Sequence, residues 1–185
     1  MRTNRVPRAY AGAATAVPNG VTGGQVVADT GTDGVVVFLI GMRVNRWRKV
    51  RSWWPVMVAM PRMLAELEAA DAGLLGAHTF WNGRTFLVVQ YWRSAEELGA
   101  YARDPRLRHA PAWGAFNKAA AATGDVGMFH ETYIVPGTRI ESLYGNMTPF
   151  GLGKALGATP RGHRRTTGEA HQRLATTDPE YVPDR

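Results

Sequence analysis

Three side chains that could carry chemistry lie close together in residues 124–135, GDVGMFHETYIV. They are the imidazole of His130, the carboxylate of Glu131 and the phenol of Tyr133. A run of β-branched and aromatic residues behind a Gly-Asp turn predicts a β-strand. Alternation places His130 on one face of that strand and Glu131 and Tyr133 on the other. Because both faces are largely apolar, we expect cover on both sides, so each polar group needs a partner or forms a site.

His130 has two interpretations. It is either a neutral core histidine bonded to a neighbour, or a base facing a cavity between helices and sheet. Imidazole titrates near neutral pH, so modest burial tunes it for proton transfer. Cofactor-free oxygenation needs such a base, because the base makes the electron-rich substrate anion that reacts with dioxygen. Glu131 lies on the opposite face, and we expect it to pair with an arginine, across a dimer interface, rather than with His130.

The elements that must position these groups follow from periodicity and turn signals. Residues 35–44 are apolar on both faces and predict a strand. Ser52 is the candidate N-cap of a helix that reaches Ala70, with Pro55 in its first turn. Pro61 lies in the interior of this helix and is expected to kink or restart it.

A hairpin is predicted next, because Asn82-Gly83 separates two apolar runs, residues 73–81 and 84–92. The expected cross-strand pairs are Trp81 with Arg84, His78 with Leu87, and Leu75 with Gln90. Ser94 is then expected to cap a short helix over residues 95–103.

A further helix is predicted over about residues 110–123, ahead of the strand that holds His130. The order strand, helix, hairpin, helices, strand is that of a ferredoxin-like βαββαβ unit, an α+β fold with its helices on one face of an antiparallel sheet. Since the strands are apolar on both faces, the bare sheet face needs cover. A second sheet in a homodimer would supply it, or residues 144–156 would fold back over the sheet in one chain.

Composition bounds the organisation. The chain has 185 residues, 45% of them hydrophobic, and no cysteine, which excludes disulfides and thiolate metal sites. We expect a flexible leader over residues 1–32, one compact domain over residues 33–157 and a flexible tail over residues 158–185. No window has the length and apolarity of a membrane span, and no secretory signal is recognised, so the expected location is cytoplasmic.

The net charge of +7 does not predict a nucleic-acid partner. The densest basic cluster, residues 43–51, lies beside a strand end with tryptophans interleaved, which is typical of a solvated rim whose tryptophans pack inward. No helix-turn-helix, zinc-finger or RNA-binding signature accompanies it. A Gly-rich phosphate loop and a G-x-S-x-G elbow are also missing from the sequence, and His78, His109 and His130 are spread over three elements, so no metal site is predicted.

Six stretches of the central region carry a family resemblance. They are residues 59–64 (AMPRML), 89–94 (VQYWRS), 101–105 (YARDP), 109–113 (HAPAW), 127–133 (GMFHETY) and 144–147 (YGNM). With the element order, they resemble the dimeric α+β barrel superfamily, which includes the antibiotic-biosynthesis monooxygenases. More narrowly, they resemble the fumagillin polyketide-monooxygenase-like family, formerly a domain of unknown function.

This resemblance implies a homodimeric barrel and monooxygenase-like oxidation of a hydrophobic small molecule in secondary metabolism, with no cofactor required. His130 would be the base in an apolar pocket, with Glu131 as a second candidate catalytic residue. The candidate substrate-binding residues are Tyr91, Trp113, Phe116, Tyr133, Tyr144 and Asn146. The segment that holds Tyr144 and Asn146 is either a lid over the cavity or an arm that packs the dimer.

Two alternatives remain open. Some dimeric α+β barrel proteins hold haem through a histidine on a helix, and His109, just before the helix predicted near Ala110, is the candidate axial ligand. Trp113 and Phe116 would then flank the porphyrin, and the protein would be a haem-dependent oxidase or dehydratase. His109 is otherwise a capping or surface residue. The other alternative is a non-catalytic small-molecule binding barrel in which His130 is structural.

Overall fold

A computed structural model describes residues 19–31, 33–104 and 123–161. Its compact units are residues 36–134 and a second unit built from the described residues on either side of that range. The elements are β1 (Thr22–Ala28), β2 (Val35–Val44), α1 (Val50–Ala69), β3 (Leu74–Asn82), β4 (Thr85–Trp92), α2 (Ala95–Arg103), β5 (Val126–Val135), a 3-10 turn (Gly137–Arg139), β6 (Tyr144–Met147), α3 (Gly151–Leu156) and β7 (Ala158–Pro160). None of the helices described is both long enough and apolar enough to cross a membrane.

The larger sheet has the strand order β3-β4-β2-β5. Strand β4 pairs antiparallel with both β2 and β3. If these four strands are numbered by their order in the chain, the order across the sheet is 2-3-1-4. This strand order, together with α1 and α2, confirms the predicted ferredoxin-like α+β fold. The helix predicted over residues 110–123 lies outside the described residues, apart from its last position.

Helix α1 begins before its predicted start. Its N-cap is Lys49, which makes no side-chain capping bond. The prediction of Ser52 as N-cap is wrong, because the Ser52 hydroxyl donates instead to a carboxylate oxygen of Asp125, 2.9 Å away. The helix then continues through Pro61 as one element of 20 residues, so no restart occurs there.

Helix α2 begins where the sequence predicts. Ser94 is its N-cap, and the Ser94 hydroxyl accepts a hydrogen bond from the backbone N–H of Glu97 at 3.1 Å. Glu96 and Glu97 lie in the first turn, where the positive end of the helix dipole favours carboxylates. The chain leaves the helix at Asp104, just before Pro105.

The hairpin forms, but its predicted register is wrong by two residues. The observed pairs include Asn82 with Thr85, Phe80 with Leu87, His78 with Val89 and Ala77 with Gln90. The loop therefore consists of Gly83 and Arg84 rather than Asn82 and Gly83. A shift of two residues keeps every side chain on its predicted face, because side chains alternate with a period of two.

Apolar side chains on the helix-facing side of this sheet form two clusters. The Trp92 cluster contains buried Val36, Leu67, Trp92 and Leu98, with Phe38, Ala72, Leu74, Ala95 and Tyr101 packed against them. The Trp53 cluster contains buried Met42, Val44, Trp53 and Val126, with Trp47, Val56, Met57, Phe86 and Met128 around them. On the two central strands, Ile40, Val88 and Gln90 lie between the clusters and belong to neither.

The basic segment largely behaves as expected. Trp53 is buried and its ring meets Trp47 edge-on, with centroids 5.1 Å apart. Arg46 bonds Asp125 at 3.0 Å. Trp54 is the exception, because more than half of it is exposed.

The second unit contains a three-stranded sheet of order β6-β1-β7. Strand β1 pairs antiparallel with both neighbours. The predictions of a flexible leader and a flexible tail are therefore wrong for residues 22–28 and 158–160. Neither strand is recognisable from the sequence. Strand β1 has two glycines near its start, and β7 has only three residues, too few to show the alternating pattern of a strand.

Candidate functional site

Strand β5 presents His130 on the helix-facing side of the sheet. Met128, two positions earlier, packs against the Trp53 cluster on that side, and Val126, four positions earlier, belongs to that cluster. The His130 ring lies 6.0 Å from the ring of Phe38, centroid to centroid, with a tilt of 42° between the planes. His130 is exposed, so an imidazole beside an aromatic ring remains accessible at the edge of the sheet.

Glu131 and Tyr133 lie on the far side of the sheet, opposite His130, as predicted. Phe129 marks that side, because a Cβ placed on Gly41 of β2 would lie only 2.6 Å from its ring. Tyr91 also lies there, since it alternates with Gln90 and Trp92. The candidate residues of the larger unit are therefore divided between the two faces of one sheet.

Glu131 and Tyr133 form a pair. The Tyr133 hydroxyl donates a hydrogen bond to Oε2 of Glu131 at 2.5 Å. This bond, together with the negative charge of Glu131, raises the pKa of the Tyr133 phenol. The partner of Glu131 within the chain is thus a tyrosine, where the sequence predicted an arginine.

The expectation that β5 is covered on both faces is wrong within the single chain. Residues 129–134 are exposed, and Ile134 reaches 72%. The cause is the sheet order: β5 is an edge strand whose only neighbour in the four-stranded sheet is β2. The sequence pattern of an edge strand and that of a central strand are alike when both carry many apolar residues.

Tyr144 and Asn146 belong to the second unit, in strand β6 rather than in an irregular lid. The Tyr144 hydroxyl accepts from the backbone N–H of Gly153 at 3.0 Å. Oδ1 of Asn146 accepts from the backbone N–H of Gly24 at 2.8 Å. Both side chains therefore join elements of their own sheet and helix.

The three remaining candidates, His109, Trp113 and Phe116, lie outside the described residues. Among the residues described, no group of three or more histidine and carboxylate side chains is placed to hold a metal ion.

Sequence reasoning missed Gln90, the polar residue in the apolar strand LVVQYW. Gln90 is 7% exposed and lies on the helix-facing side, directly opposite Phe38 on the neighbouring strand. Its Oε1 accepts a hydrogen bond from the indole Nε1 of Trp92 at 2.9 Å. The signal was available, because an amide on an otherwise apolar central strand must find partners or serve a site.

Asp125 fixes the start of β5 and was also missed. Its side chain is only 5% exposed and bonds both Ser52 and Arg46. Its carbonyl oxygen accepts from the backbone N–H groups of Asn45 and Arg46, at 2.9 and 3.1 Å. The Ser52 hydroxyl, and then the Arg46 guanidinium, hold the pKa of the Asp125 carboxyl below its usual value, against the opposing effect of burial.

Two solved structures have a fold similar to that of this chain. An aldoxime dehydratase in complex with butyraldoxime has a TM-score of 0.57 at 18% identity, over 69% of this chain and 38% of the other. A second aldoxime dehydratase structure has a TM-score of 0.55 at 20% identity, over 72% of this chain and 41% of the other. At these identities the likeness concerns the fold alone.

Sequence comparison gives a closer relationship. Monooxygenase af470 from Aspergillus fumigatus is 28% identical over 162 residues, which is 75% of this chain and 54% of that protein. The chain thus spans about half the length of this curated relative. The family model of monooxygenase af470-like proteins matches residues 35–152, a range that contains the whole four-stranded sheet and β6. The chain therefore belongs to the monooxygenase af470-like family.

Proposed function

We propose that this protein catalyses the monooxygenase-like oxidation of a hydrophobic small molecule, with His130 as the base. The observation that carries the proposal is the position of His130, accessible and beside Phe38 on the helix-facing side of the sheet. Membership of a family named for a monooxygenase supports the reaction type. The aromatic ring beside the imidazole provides apolar surface for a flat substrate.

The reaction balances without a further reductant. His130 removes a proton from an activated CH₂ group, and the electron pair left behind forms a bond to dioxygen. The resulting hydroperoxide loses water and leaves a carbonyl group. One CH₂ group and one dioxygen molecule thus become one C=O group and one water molecule, while His130 returns its proton. An imidazole suits this step because a ring nitrogen of its neutral form can accept the proton.

Oxygen uptake tests the proposal. The purified protein is given aryl ketones that carry an activated CH₂ group, and uptake is compared for wild type, His130→Ala and His78→Ala. His78 is the matched control, because it lies on β3 on the far side of the sheet. Loss of general base catalysis is expected to lower kcat by roughly 10²–10⁴-fold in His130→Ala, with little change in His78→Ala. Undiminished turnover by His130→Ala would remove its assigned role.

We also propose that the protein acts as a homodimer in which the far side of the sheet meets a second copy. Phe80, Phe129 and Tyr133 are all exposed on that side. Burying such aromatic groups is a main source of association free energy.

A second candidate function is a haem-dependent oxidase or dehydratase with His109 as axial ligand. The support is the fold shared with the aldoxime dehydratases and the histidine that precedes the helix predicted near Ala110. An absorption spectrum of protein from cells supplied with haem precursor tests it, with His109→Ala alongside. A Soret band that is present in wild type and absent from the variant would support the haem-dependent function. A colourless wild-type protein would support the cofactor-free reaction.

A third possibility is binding without catalysis. It predicts that an apolar ketone binds while neither dioxygen is consumed nor product formed. The same oxygen measurement, made at ligand concentrations that saturate the protein, separates this binding function from the proposed oxidation.

A further inference from the structure

A transverse row of three side chains crosses the helix-facing side of the sheet. It runs from Gln90 on β4, through Phe38 on β2, to His130 on β5, and we call it the Phe38 row. Gln90 and Phe38 are direct cross-strand partners, and the Phe38 and His130 rings are 6.0 Å apart. Exposure rises along the row, from buried Gln90 to exposed His130.

The Gln90 amide is held in one orientation. An indole N–H can only donate, so the atom that faces Trp92 must be the amide oxygen. The oxygen and nitrogen of an amide lie on opposite edges of the group, so the Gln90 NH₂ group points away from the Trp92 indole nitrogen. Among the described residues, the bond from Trp92 is the only hydrogen bond that this side chain makes.

Gln90 therefore offers two N–H donors on the helix-facing side of the sheet, and its Nε2 is not among the fully buried, unpartnered atoms of the described residues, so a ligand can reach it. The residue is 7% exposed, and its neighbours along the strand on the same side are Val88 and Trp92. An oxygen atom of a bound molecule in this position would replace water as the acceptor of these N–H groups. The net gain is that of one protein–ligand hydrogen bond, about 1 kcal/mol.

We propose that Gln90 binds a carbonyl-type oxygen of the substrate, while the rest of the molecule lies along Phe38 towards His130. This inference rests on the proposed function, which places the substrate beside His130 on the helix-facing side of the sheet. Adjacent strands are about 4.8 Å apart, so two strand spacings separate Gln90 from His130 by about 10 Å. The ligand class is thus a flat, conjugated ketone of two or three rings.

The arrangement also gives Gln90 a part in the reaction. When His130 takes a proton from carbon at one end of a conjugated ketone, the electron pair moves through the π-system to the carbonyl oxygen. The Gln90 N–H groups would then donate to an oxygen that carries more negative charge than before. A donor aimed at developing charge stabilises the anion more than it stabilises the neutral ketone.

A matched pair of ligands tests the inference without any turnover. Acetylnaphthalene and ethylnaphthalene have the same carbon skeleton, and the first has a carbonyl group where the second has a CH₂ group. Calorimetric titration of the wild-type protein is expected to show about three- to tenfold tighter binding of the ketone, the effect of one hydrogen bond. Gln90→Met conserves the side-chain volume and is expected to weaken ketone binding to the level of the hydrocarbon.

Val89→Met is the control, because Val89 immediately precedes Gln90 in β4 and lies on the far side of the sheet. It is expected to keep the ketone preference. Equal affinities in wild type, an unchanged preference in Gln90→Met, or no binding of either probe would each overturn the inference. The preference for the ketone is also measured in His130→Ala, where turnover is expected to be lost. Because this binding measurement needs no turnover, it separates a failure of the Gln90 inference from a failure of the proposed oxidation.

A measurement on the wild-type protein covers the case in which Gln90→Met fails to fold. The side-chain NH₂ resonances of Gln90 are followed by ¹H–¹⁵N NMR as each probe is added. The ketone is expected to shift them strongly and the hydrocarbon only weakly. Equal shifts with both probes would overturn the inference.

Discussion

Ser52, in the first turn of α1, donates a hydrogen bond to Oδ2 of Asp125, which directly precedes β5, at a distance of 2.9 Å. Arg46 holds the other carboxylate oxygen at 3.0 Å. One nearly buried carboxylate thus connects the end of β2, the start of α1 and the start of β5. The strand that presents His130 is therefore positioned from its first residues.

Asp125 makes the stability of the fold depend on acid pH. The pKa of the Asp125 carboxyl is lowered in the folded state. Its contribution to the free energy of unfolding is therefore fully present above the unfolded-state pKa of about 3.9 and is lost as the pH falls through the folded-state pKa. We expect the free energy of unfolding, measured with urea over an acid pH series, to fall less steeply in Asp125→Asn than in wild type. Glu68→Gln, on the exposed surface of α1, is the control. Equal slopes in Asp125→Asn and wild type would contradict the assigned role.

The phenol of Tyr133 is expected to respond to Glu131. The bond to Glu131 and its charge raise the Tyr133 pKa, so Glu131→Gln is expected to lower that pKa towards its ordinary value of about 10. Tyrosinate absorbance over an alkaline pH series measures it, and the same variant in a Tyr133→Phe background identifies the signal. A Tyr133 titration that stays unchanged in Glu131→Gln would mean that the pair does not persist in solution.

Gly34 is expected to tolerate no side chain. Its φ is +82°, and a Cβ there would contact Val135 O, with Gly137 N at 2.8 Å and Pro136 Cα at 2.9 Å. Gly20 has a similar φ of +83° but open space around it, so Gly20→Ala isolates the cost of the left-handed backbone, about 1 kcal/mol. Gly34→Ala is expected to cost more than about 3 kcal/mol in urea unfolding, because backbone atoms must move. Similar losses in both variants would show that the contacts are easily relieved.

The cap of α2 is expected to contribute measurably. Ser94→Ala removes the acceptor for the Glu97 N–H and is expected to cost about 1 kcal/mol in chemical denaturation. Ser94→Gly is the matched comparison, because glycine at an N-cap costs only a few tenths of that amount relative to serine. If both variants lose the same free energy of unfolding, the loss does not come from the N-cap hydrogen bond.

Phe129 is expected to contribute to the proposed dimer. Phe129→Ser removes an exposed aromatic ring from the far side of the sheet, so sedimentation velocity is expected to show a shift towards monomer. Trp54→Ser, which removes an exposed ring from α1, is expected to leave the association state unchanged. A wild-type protein that sediments as a monomer at every concentration would refute the dimer.

The fold was largely predictable because its signals are local. The βαββαβ order, the Ser94 cap and the face assignment of His130 and Glu131 all follow from periodicity and turn chemistry. Strand register and the start of α1 were not predictable, because they depend on partners distant in the chain. Ser52 looks like an N-cap, yet its hydroxyl bonds a carboxylate 73 residues away.

The candidate site was less predictable, since it depends on which side chains share a face of the sheet. The sequence singled out His130, Glu131 and Tyr133 by residue type, but an edge position and a tyrosine–glutamate bond appear only when the strands are paired. Gln90 was overlooked because one amide within LVVQYW resembles an ordinary interruption of an apolar strand. Its meaning comes from Trp92, which fixes the direction of the amide.

The separation of the core into a Trp92 cluster and a Trp53 cluster has an evolutionary consequence. Each cluster joins helix to sheet by itself, so a change at Gln90, which lies between them, removes neither one. With the proposed ligand contact, substitutions at Gln90 are expected to change ligand preference, whereas Val88, only 1% exposed, is part of the buried core. Related proteins with different ligands are therefore expected to differ at the position of Gln90, and a directed-evolution library aimed at new ligands should begin there.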